Sequence, residues 1–203
     1  MKKTIIILIL LLVIIAFVVI SYIMKGPDLS QYESLKEPRI TTMQNLKMLV
    51  VEAKGDPNAI GSKAFGLLFK TYFKLEGTSK GPKQPAPRAR WPISLDSAKT
   101  EWIGYYAMPI PDQVNALPDI NSEAGLKAEL TTWEYGEVAE ILHIGPYNAE
   151  APTVEKLKKF IDDSGYKIAG LHEEEYLKGP GMFFKGNPEK YYTIIRYRVE
   201  KKQ

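Results

Sequence analysis

The residues best suited to bind a ligand or to catalyse a reaction form one short run, His172-Glu173-Glu174-Glu175-Tyr176. Side chains alternate between the two faces of a strand, so His172, Glu174 and Tyr176 share one face. A carboxylate among aromatic rings attracts an organic cation over distance and holds it through cation–π contacts of about 0.5–2 kcal/mol. The alternative interpretation is a solvated sheet edge, where consecutive glutamates prevent pairing with another chain.

Other kinds of chemistry find little support in the composition. The chain has no cysteine, which excludes disulfides, thiolate metal ligands and a cysteine nucleophile. The two histidines, His143 and His172, match no compact metal-ligand spacing with Glu174, so we predict no metal site and no cofactor. The 27 Lys and Arg residues are interleaved with 24 Asp and Glu residues, so nucleic acid is not a predicted partner.

Several aromatic residues are candidates to surround Glu174. Tyr147 follows a Gly-Pro turn between a predicted strand and a predicted helix, although it could equally be a packed tyrosine. Trp102, Trp133 and Tyr105 could line the same site, but aromatic residues in strands belong more often to the core. The alternating pattern leaves open whether Tyr105 or its neighbour Tyr106 faces inward.

The elements that must position these residues occur in the same order twice. In the first half, Asp56 is predicted to cap a helix that starts at Pro57 and ends before Gly77. A long surface loop, residues 77–90, follows. The predicted strands of this half cover residues 46–53, 91–95 and 100–108. Pro92 predicts that the strand over residues 91–95 lies at a sheet edge.

The second half repeats the order strand, helix, strand, strand. Its predicted strands cover residues 137–144, 169–177 and 191–199, and its helix covers residues 152–163. A further strand over residues 126–133 is predicted to pair with residues 137–144 through the turn at residues 134–136. We therefore predict an α+β fold of two β-α-β-β units related by a pseudo-twofold axis, with antiparallel sheets and helices on one face. A groove between the halves is the expected ligand site.

The N-terminal residues 4–23 read TIIILILLLVIIAFVVISYI, without a charged residue. At about 1.5 Å per residue, such a helix spans the ~30 Å hydrocarbon layer of a membrane. We predict an uncleaved anchor at residues 4–23, with a cleaved signal peptide as the alternative. Lys2 and Lys3 favour a cytoplasmic N-terminus. A single span then places the rest of the chain on the other side, so we predict a single-pass membrane protein with an extracytoplasmic domain.

The predicted domain organisation follows from these segments. Residues 24–44 are predicted to be a tether between the anchor and the domain. The domain is predicted to cover residues 45–200, with halves at about 45–110 and 124–200.

The second half carries a motif pattern that resembles the GyrI-like family, which includes the effector-binding domains of bacterial transcription activators. The residues that carry the resemblance are His143-Ile144-Gly145-Pro146-Tyr147, then residues 170–177 (GLHEEEYL) with Pro180, then Pro188-Glu189-Lys190, residues 193–196 (TIIR) and Val199. The resemblance implies a duplicated β-α-β-β fold that binds small cationic or aromatic compounds in a cleft. It also implies that Glu174 supplies the negative charge of the pocket.

This chain departs from the family pattern at two positions. Gly179 precedes Pro180 where the pattern has Asp-Pro, and Glu173 stands where histidine is frequent.

Three functions are compatible with the sequence. The first is a membrane-anchored domain that binds cationic or amphipathic aromatic compounds through Glu174, Tyr147, Tyr176, Trp102, Trp133 and Tyr105. The second is a hydrolase that uses the pocket glutamate on electrophilic small molecules. The third is a protein-interaction module without a ligand.

Overall fold

The structure is a computed structural model that describes residues 14–15, 28–92, 98–120, 125–180 and 186–203. The chain divides into two compact units, Met1–Ser30 and Gln31–Gln203. In the first unit, only the helical residues Ile14 and Ile15 and residues 28–30 are described. The second unit contains the sheet and the long helices.

The described part of the second unit contains nine strands and two α-helices. The strands are β1 (Arg39–Met43), β2 (Leu46–Lys54), β3 (Arg88–Trp91), β4 (Ile103–Pro109), β5 (Ala128–Trp133), β6 (Gly136–Ile144), β7 (Tyr166–Ile168), β8 (His172–Lys178) and β9 (Tyr192–Lys201). The helices are α1 (Pro57–Lys74) and α2 (Ala151–Asp163). The unit therefore has the predicted α+β composition.

The strands form one antiparallel sheet with the order β1-β6-β9-β8-β3-β4-β2-β5, and β7 pairs separately with β9. Only residues 44–45 connect β1 to β2, and only residues 134–135 connect β5 to β6, although each pair lies near opposite ends of this order. The Tyr135 backbone N–H also donates to the Asn45 side chain at 3.0 Å. The sheet must therefore curve strongly, which brings its two ends together around a concave face.

Both helices cover the other face of the sheet, here called the helix face. One apolar cluster joins α1 to strands β2, β3 and β4, and a second joins α2 to strands β6 and β9. The inward residues of α2 are Val154, Leu157 and Ile161, at the spacing of three and four that one helical face requires. The two clusters form the core on this face.

Helix α1 begins as the sequence predicts. The Asp56 side chain accepts a hydrogen bond from the Asn58 backbone N–H at 2.9 Å, and Pro57 occupies the first helical position. Proline is tolerated there because its missing N–H would have had no partner within the helix. The prediction of Asp56 as the cap is confirmed.

The concave face carries a row of charged side chains that crosses the middle strands. Strand register places Arg90, Glu173, Arg196 and Glu140 side by side, with Arg39 at the end. Arg196 donates to Glu173 at 2.9 Å and to Glu140 at 2.7 Å, and Arg90 donates to Glu173 at 2.7 Å. Burial opposes ionisation of Glu173, but the charges of Arg196, Arg88 and Arg90 outweigh it and lower the pKa of Glu173.

Several predicted elements are corrected by the structure. Of the strand predicted at residues 91–95, only residues 91–92 are described, and Trp91 is the last residue of β3 (Arg88–Trp91), which lies between β8 and β4 rather than at an edge. Pro92 does not interrupt β3 because it follows the last strand residue. Strand β5 pairs with β2 instead of β6, since the curved sheet brings the start of β6 to the end of β5 without hairpin pairing.

The predicted tether, residues 24–44, also contains regular structure. Strand β1 pairs with β6, and Leu35 in the preceding 3₁₀ helix Ser30–Lys36 is buried against Leu142 and Ile194. The sequence did not predict this edge strand, because the residues before it are turn formers and charged residues without an alternating apolar pattern.

The predicted membrane anchor, residues 4–23, lies outside the described residues except for Ile14 and Ile15. In the part of the chain that the structure describes, no helix is both long enough and apolar enough to cross a membrane. The two long helices are instead amphipathic, with apolar residues toward the sheet and lysines on other sides. The predicted localisation, a single-pass membrane protein, is therefore corrected.

The charged row leads to a prediction about stability. Glu173 is 2% exposed, and replacing it in Glu173→Gln leaves buried arginines without their shared carboxylate. We expect this variant to lower the free energy of unfolding by about 3–5 kcal/mol at neutral pH, as measured by urea denaturation. The exposed variant Glu155→Gln serves as the control and should stay within about 0.5 kcal/mol of the wild type.

The same variant should also change the acid sensitivity. Because the folded-state pKa of Glu173 is lowered, its ionisation stabilises the fold above the unfolded pKa of about 4.3 and is lost as the pH falls through the folded value. The difference between wild type and Glu173→Gln should therefore shrink toward low pH. Equal stability at neutral pH would contradict this account of the network.

Candidate functional site

Glu174 lies on the helix face where the two apolar clusters meet. Strand register aligns Tyr106 of β4, Ala89 of β3, Glu174 of β8 and Ile195 of β9 in one row. Tyr106 belongs to the cluster under α1, and Ile195 belongs to the cluster under α2. Because Ala89 has only a methyl side chain, no large residue of this row separates the Tyr106 ring from the Glu174 carboxylate.

The Glu174 side chain is buried, with 6% of the residue exposed, and Trp91 and His172 hold its carboxylate. Trp91 Nε1 donates to Oε1 at 2.8 Å, and His172 Nε2 lies 3.3 Å from the same oxygen. His172 Nδ1 lies 2.7 Å from the Tyr197 hydroxyl, which fixes the direction of the imidazole ring. Within the described residues, no lysine or arginine forms an ion pair with Glu174.

Three tyrosines surround this charge. Burial and then the charge of Glu174 raise the pKa of Tyr106 to about 12 and also raise the pKa of Tyr147. The same causes raise the pKa of Tyr176 well above its usual value, and its hydroxyl hydrogen-bonds to Glu174. The Tyr147 and Tyr176 ring centres are 5.5 Å apart, and Phe65 of α1 contacts Tyr176 and Tyr106 at 5.8 and 4.9 Å. The acid is therefore enclosed by aromatic rings with protonated hydroxyls.

A second acid, Glu150, approaches from the start of α2. It occupies the N-cap position, yet its side chain makes no capping hydrogen bond and its Oε1 lies 3.9 Å from His172 Nε2. Burial and then the charge of Glu174 raise the pKa of Glu150 to about 9. At neutral pH Glu150 therefore holds a protonated carboxyl group beside Glu174.

Three buried polar atoms on the helix face lack a hydrogen-bond partner: Glu150 Oε2, the Tyr106 hydroxyl and Thr193 Oγ1. Thr193 lies beside Tyr176 in the register of β8 and β9. Buried polar atoms are nearly always paired in folded proteins, so these three atoms are free to accept a hydrogen bond from a bound molecule. The fourth such atom in the described chain, Arg88 Nε, lies on the concave face.

The same residues could also hold a metal ion. Glu150, His172 and Glu174 each offer one ligand atom, and these three atoms lie within 4.8 Å of one another. The Tyr197 hydroxyl orients the His172 ring in the manner of an outer-shell partner. This set differs from the sequence-based combination with His143, whose ring nitrogens contact Thr153 and the Pro146 carbonyl instead.

The structure brings together four of the six predicted site residues. The Tyr176 hydroxyl hydrogen-bonds to Glu174, and the Tyr147 ring lies against the Tyr176 ring. Trp102 lies farther from the acid, with its ring centre 5.5 Å from that of Trp91, which contacts Glu174 directly.

The other two predicted residues, Trp133 and Tyr105, lie on the concave face, so their assignment to the site is corrected. The Arg90 guanidinium lies 4.0 Å from the centre of the Trp133 ring, and Tyr105 packs against the cluster that contains Trp133. Strand alternation explains the placement of Tyr105, because its neighbour Tyr106 faces Glu174.

Trp91, Tyr106 and Glu150 lie at the site but are not predicted from the sequence. Pro92 predicts an edge strand at Trp91, and strand alternation does not distinguish Tyr106 from Tyr105. Glu150 directly precedes α2, but glutamate is not a preferred capping residue, so its position predicts no role. Nothing in the sequence shows that its side chain turns toward Glu174.

Two cavities lie away from Glu174. One of about 400 Å³ is lined on the concave face by Arg90, Thr132, Glu134, Tyr135, Ala169, Gly170, Leu171, Glu173, Arg196 and Arg198. The other, of about 680 Å³, is lined by residues 74–77, Pro111 and residues 113–118. Neither includes a residue that contacts Glu174.

Solved structures show the same fold. An uncharacterized conserved protein from Listeria innocua is 24% identical, matches 86% of this chain and 100% of its own, and has a TM-score of 0.68. A hydrolase from Listeria innocua is 21% identical, matches 87% of this chain and 100% of its own, and has a TM-score of 0.64. The EcmrR C-terminal domain is 14% identical, matches 82% of this chain and 98% of its own, and has a TM-score of 0.56.

The family comparison is more specific than these structural similarities. No protein of curated function matches the sequence. Residues 36–200 match the GyrI-like small molecule binding domain family, and this range contains β1 to β8, all of β9 except Lys201, both helices and every residue of the site around Glu174. The chain therefore belongs to the GyrI-like small-molecule-binding domain family.

Proposed function

We propose that this protein binds a cationic, aromatic small molecule between α1 and the start of α2, with Glu174 as the counter-charge. The observation that carries the proposal is a buried carboxylate that contacts Trp91 and His172, without an ion pair to a lysine or arginine of the described chain. A cation from outside the protein is the missing electrostatic partner.

Electrostatics favour this kind of ligand. A buried charge is costly unless it is paired, and pairing in a medium of low dielectric constant is stronger than in water. The donors on Trp91 and His172 keep Glu174 ordered before the ligand arrives, so little reorganisation is required on binding. A cationic ligand gains this interaction, whereas a neutral ligand of equal shape does not.

The rings around the acid favour an organic cation over a bare metal ion. Phe65, Tyr106, Tyr147 and Tyr176 offer ring faces and edges, which contact an aromatic body and do not ligate metals. A cation over such a ring gains about 0.5–2 kcal/mol. Binding of an aromatic cation therefore uses both the charge and the rings.

The strand order supports an ancestral duplication for this site. Read from its two ends, the sheet runs β1-β6-β9-β8 and β5-β2-β4-β3, and the two series meet where β8 pairs with β3. We propose two β-α-β-β halves, at about residues 45–110 and 124–200, related by a pseudo-twofold axis through this junction. Glu174 on β8 and Ala89 on β3 then lie at the axis.

A second candidate function is hydrolysis, favoured by the position of a protonated Glu150 beside Glu174. In this scheme water attacks a carbon of an electrophile such as an aryl epoxide, and Glu174 accepts a proton from that water. The carbon–oxygen bond breaks, and Glu150 gives its proton to the departing oxygen. The proton returns from Glu174 to Glu150 through solvent, which restores the site.

The binding proposal is tested with the full-length protein and two probes of similar shape, 2-naphthylmethylammonium and neutral 2-naphthylmethanol. We expect the ammonium compound to bind more tightly, and Glu174→Gln to weaken its binding by roughly 10- to 100-fold, because a charge-assisted contact is lost. Titration calorimetry measures both affinities. Gln retains an acceptor for the Trp91 N–H, so the fold should persist.

Glu155→Gln provides the matched control, because Glu155 lies on α2 with its side chain 70% exposed. Its affinity for the ammonium probe should equal that of the wild type. Unchanged affinity in Glu174→Gln, or equal binding of the neutral alcohol, contradicts the proposed function.

The hydrolysis candidate is tested with styrene oxide and chromatographic detection of the diol. If it is correct, Glu174→Gln should lower the rate at least roughly 100-fold. The wild-type rate should fall as the pH rises through about 9, because Glu150 loses its proton there. A diol yield equal to that in buffer alone excludes this reaction for the probe.

A further inference from the structure

We infer that the site selects protonated primary or secondary amines over quaternary ammonium compounds, with Glu150 as the residue that determines this choice. The inference rests on the proposed function and specifies its ligand class. It depends on hydrogen-bond geometry around the cation, in addition to charge.

The first observation is the number of unsatisfied polar atoms around Glu174. Glu150 Oε2 and the Tyr106 hydroxyl are buried without partners, and Tyr106 is only 2% exposed. Thr193 Oγ1, beside Tyr176, is also buried and unpartnered. A carboxylate or hydroxyl oxygen is satisfied by an N–H donor and gains nothing comparable from a methyl group.

The second observation is the position of Glu150. It stands at the N-cap position of α2 but makes no capping hydrogen bond to its own helix. Its side chain instead turns toward His172 and Glu174, with Oε1 3.9 Å from His172 Nε2. The start of α2 therefore places a second pair of acceptor oxygens near those of Glu174.

These two acids suit an ammonium group that carries several N–H donors. One N–H can be directed at Glu174 and another at Glu150, whose ligand atoms lie within 4.8 Å of each other. A trimethylammonium group has the same charge but offers no donor, so the buried oxygens stay unpaired when it binds. Sites built to hydrogen-bond a ligand strongly reject analogues that lack the donor.

The closing experiment compares three probes on the full-length wild-type protein: 2-naphthylmethylammonium, its N,N,N-trimethyl derivative and 2-naphthylmethanol. We expect the primary ammonium compound to bind at least roughly 10-fold more tightly than the trimethyl compound. This comparison needs no variant, so it tests the inference even if substitutions impair folding. Calorimetry at neutral pH gives the three affinities.

Glu150→Met then tests which residue makes the distinction, because methionine has a similar length and lacks both acceptor oxygens. We expect this variant to lose affinity for the primary compound and to narrow its preference over the trimethyl compound to roughly 3-fold or less. Glu155→Met, at an exposed acid on the same helix, should keep the wild-type ratio. A ratio unchanged in Glu150→Met overturns the role of Glu150.

The outcomes separate this inference from the proposed function. If both cations bind equally well and more tightly than the alcohol, the selectivity inference fails while the proposed function stands. If the alcohol binds as tightly as both cations, the proposed function itself fails.

Discussion

Burial of a carboxylate away from water is costly unless a cation or several hydrogen-bond donors compensate it, and this constraint governs the middle of the sheet. Strand β8 carries three consecutive glutamates and sends them to opposite faces. On the concave face, Glu173 accepts from Arg90 and Arg196 at 2.7 and 2.9 Å. On the helix face, Glu174 contacts Trp91 and His172 and, among the described residues, forms no ion pair with a lysine or arginine. One short strand therefore contains a structural ion network and a charge that is left for a ligand.

The curvature of the sheet makes this division possible. It turns one face inward, so that arginines and glutamates of several strands form buried ion pairs there. It also leaves the other face to two helices, whose apolar clusters meet beside Ala89 and Glu174. Gly179 stands where the family pattern has aspartate, and its lack of a side chain leaves room for the Tyr147 ring beside Glu174. A Cβ atom at that position would collide with the Tyr147 hydroxyl.

The sequence predicted those features that depend on local patterns. Asp56 and Pro57 predicted the start of α1, and alternation in β8 predicted that Glu174 and Tyr176 share a face. Features that depend on distant pairing were not predictable: Trp133 pairs with Leu46, and the curved sheet carries it to the concave face. Only the register with β3 shows which of Tyr105 and Tyr106 faces Glu174. Only the observed direction of its side chain shows that Glu150 belongs to the site. The predicted membrane localisation is corrected because the described residues include no helix able to cross a membrane.

The central claim is that an external cation completes the charge of Glu174. A crystal structure of the full-length protein with bound 2-naphthylmethylammonium tests it most directly. The account predicts the ammonium nitrogen within hydrogen-bond distance of Glu174, with the naphthyl ring against Tyr176 and Phe65. A ligand bound in the concave cavity beside Arg90 and Arg198, with Glu174 still contacting only Trp91, His172 and Tyr176, would contradict it.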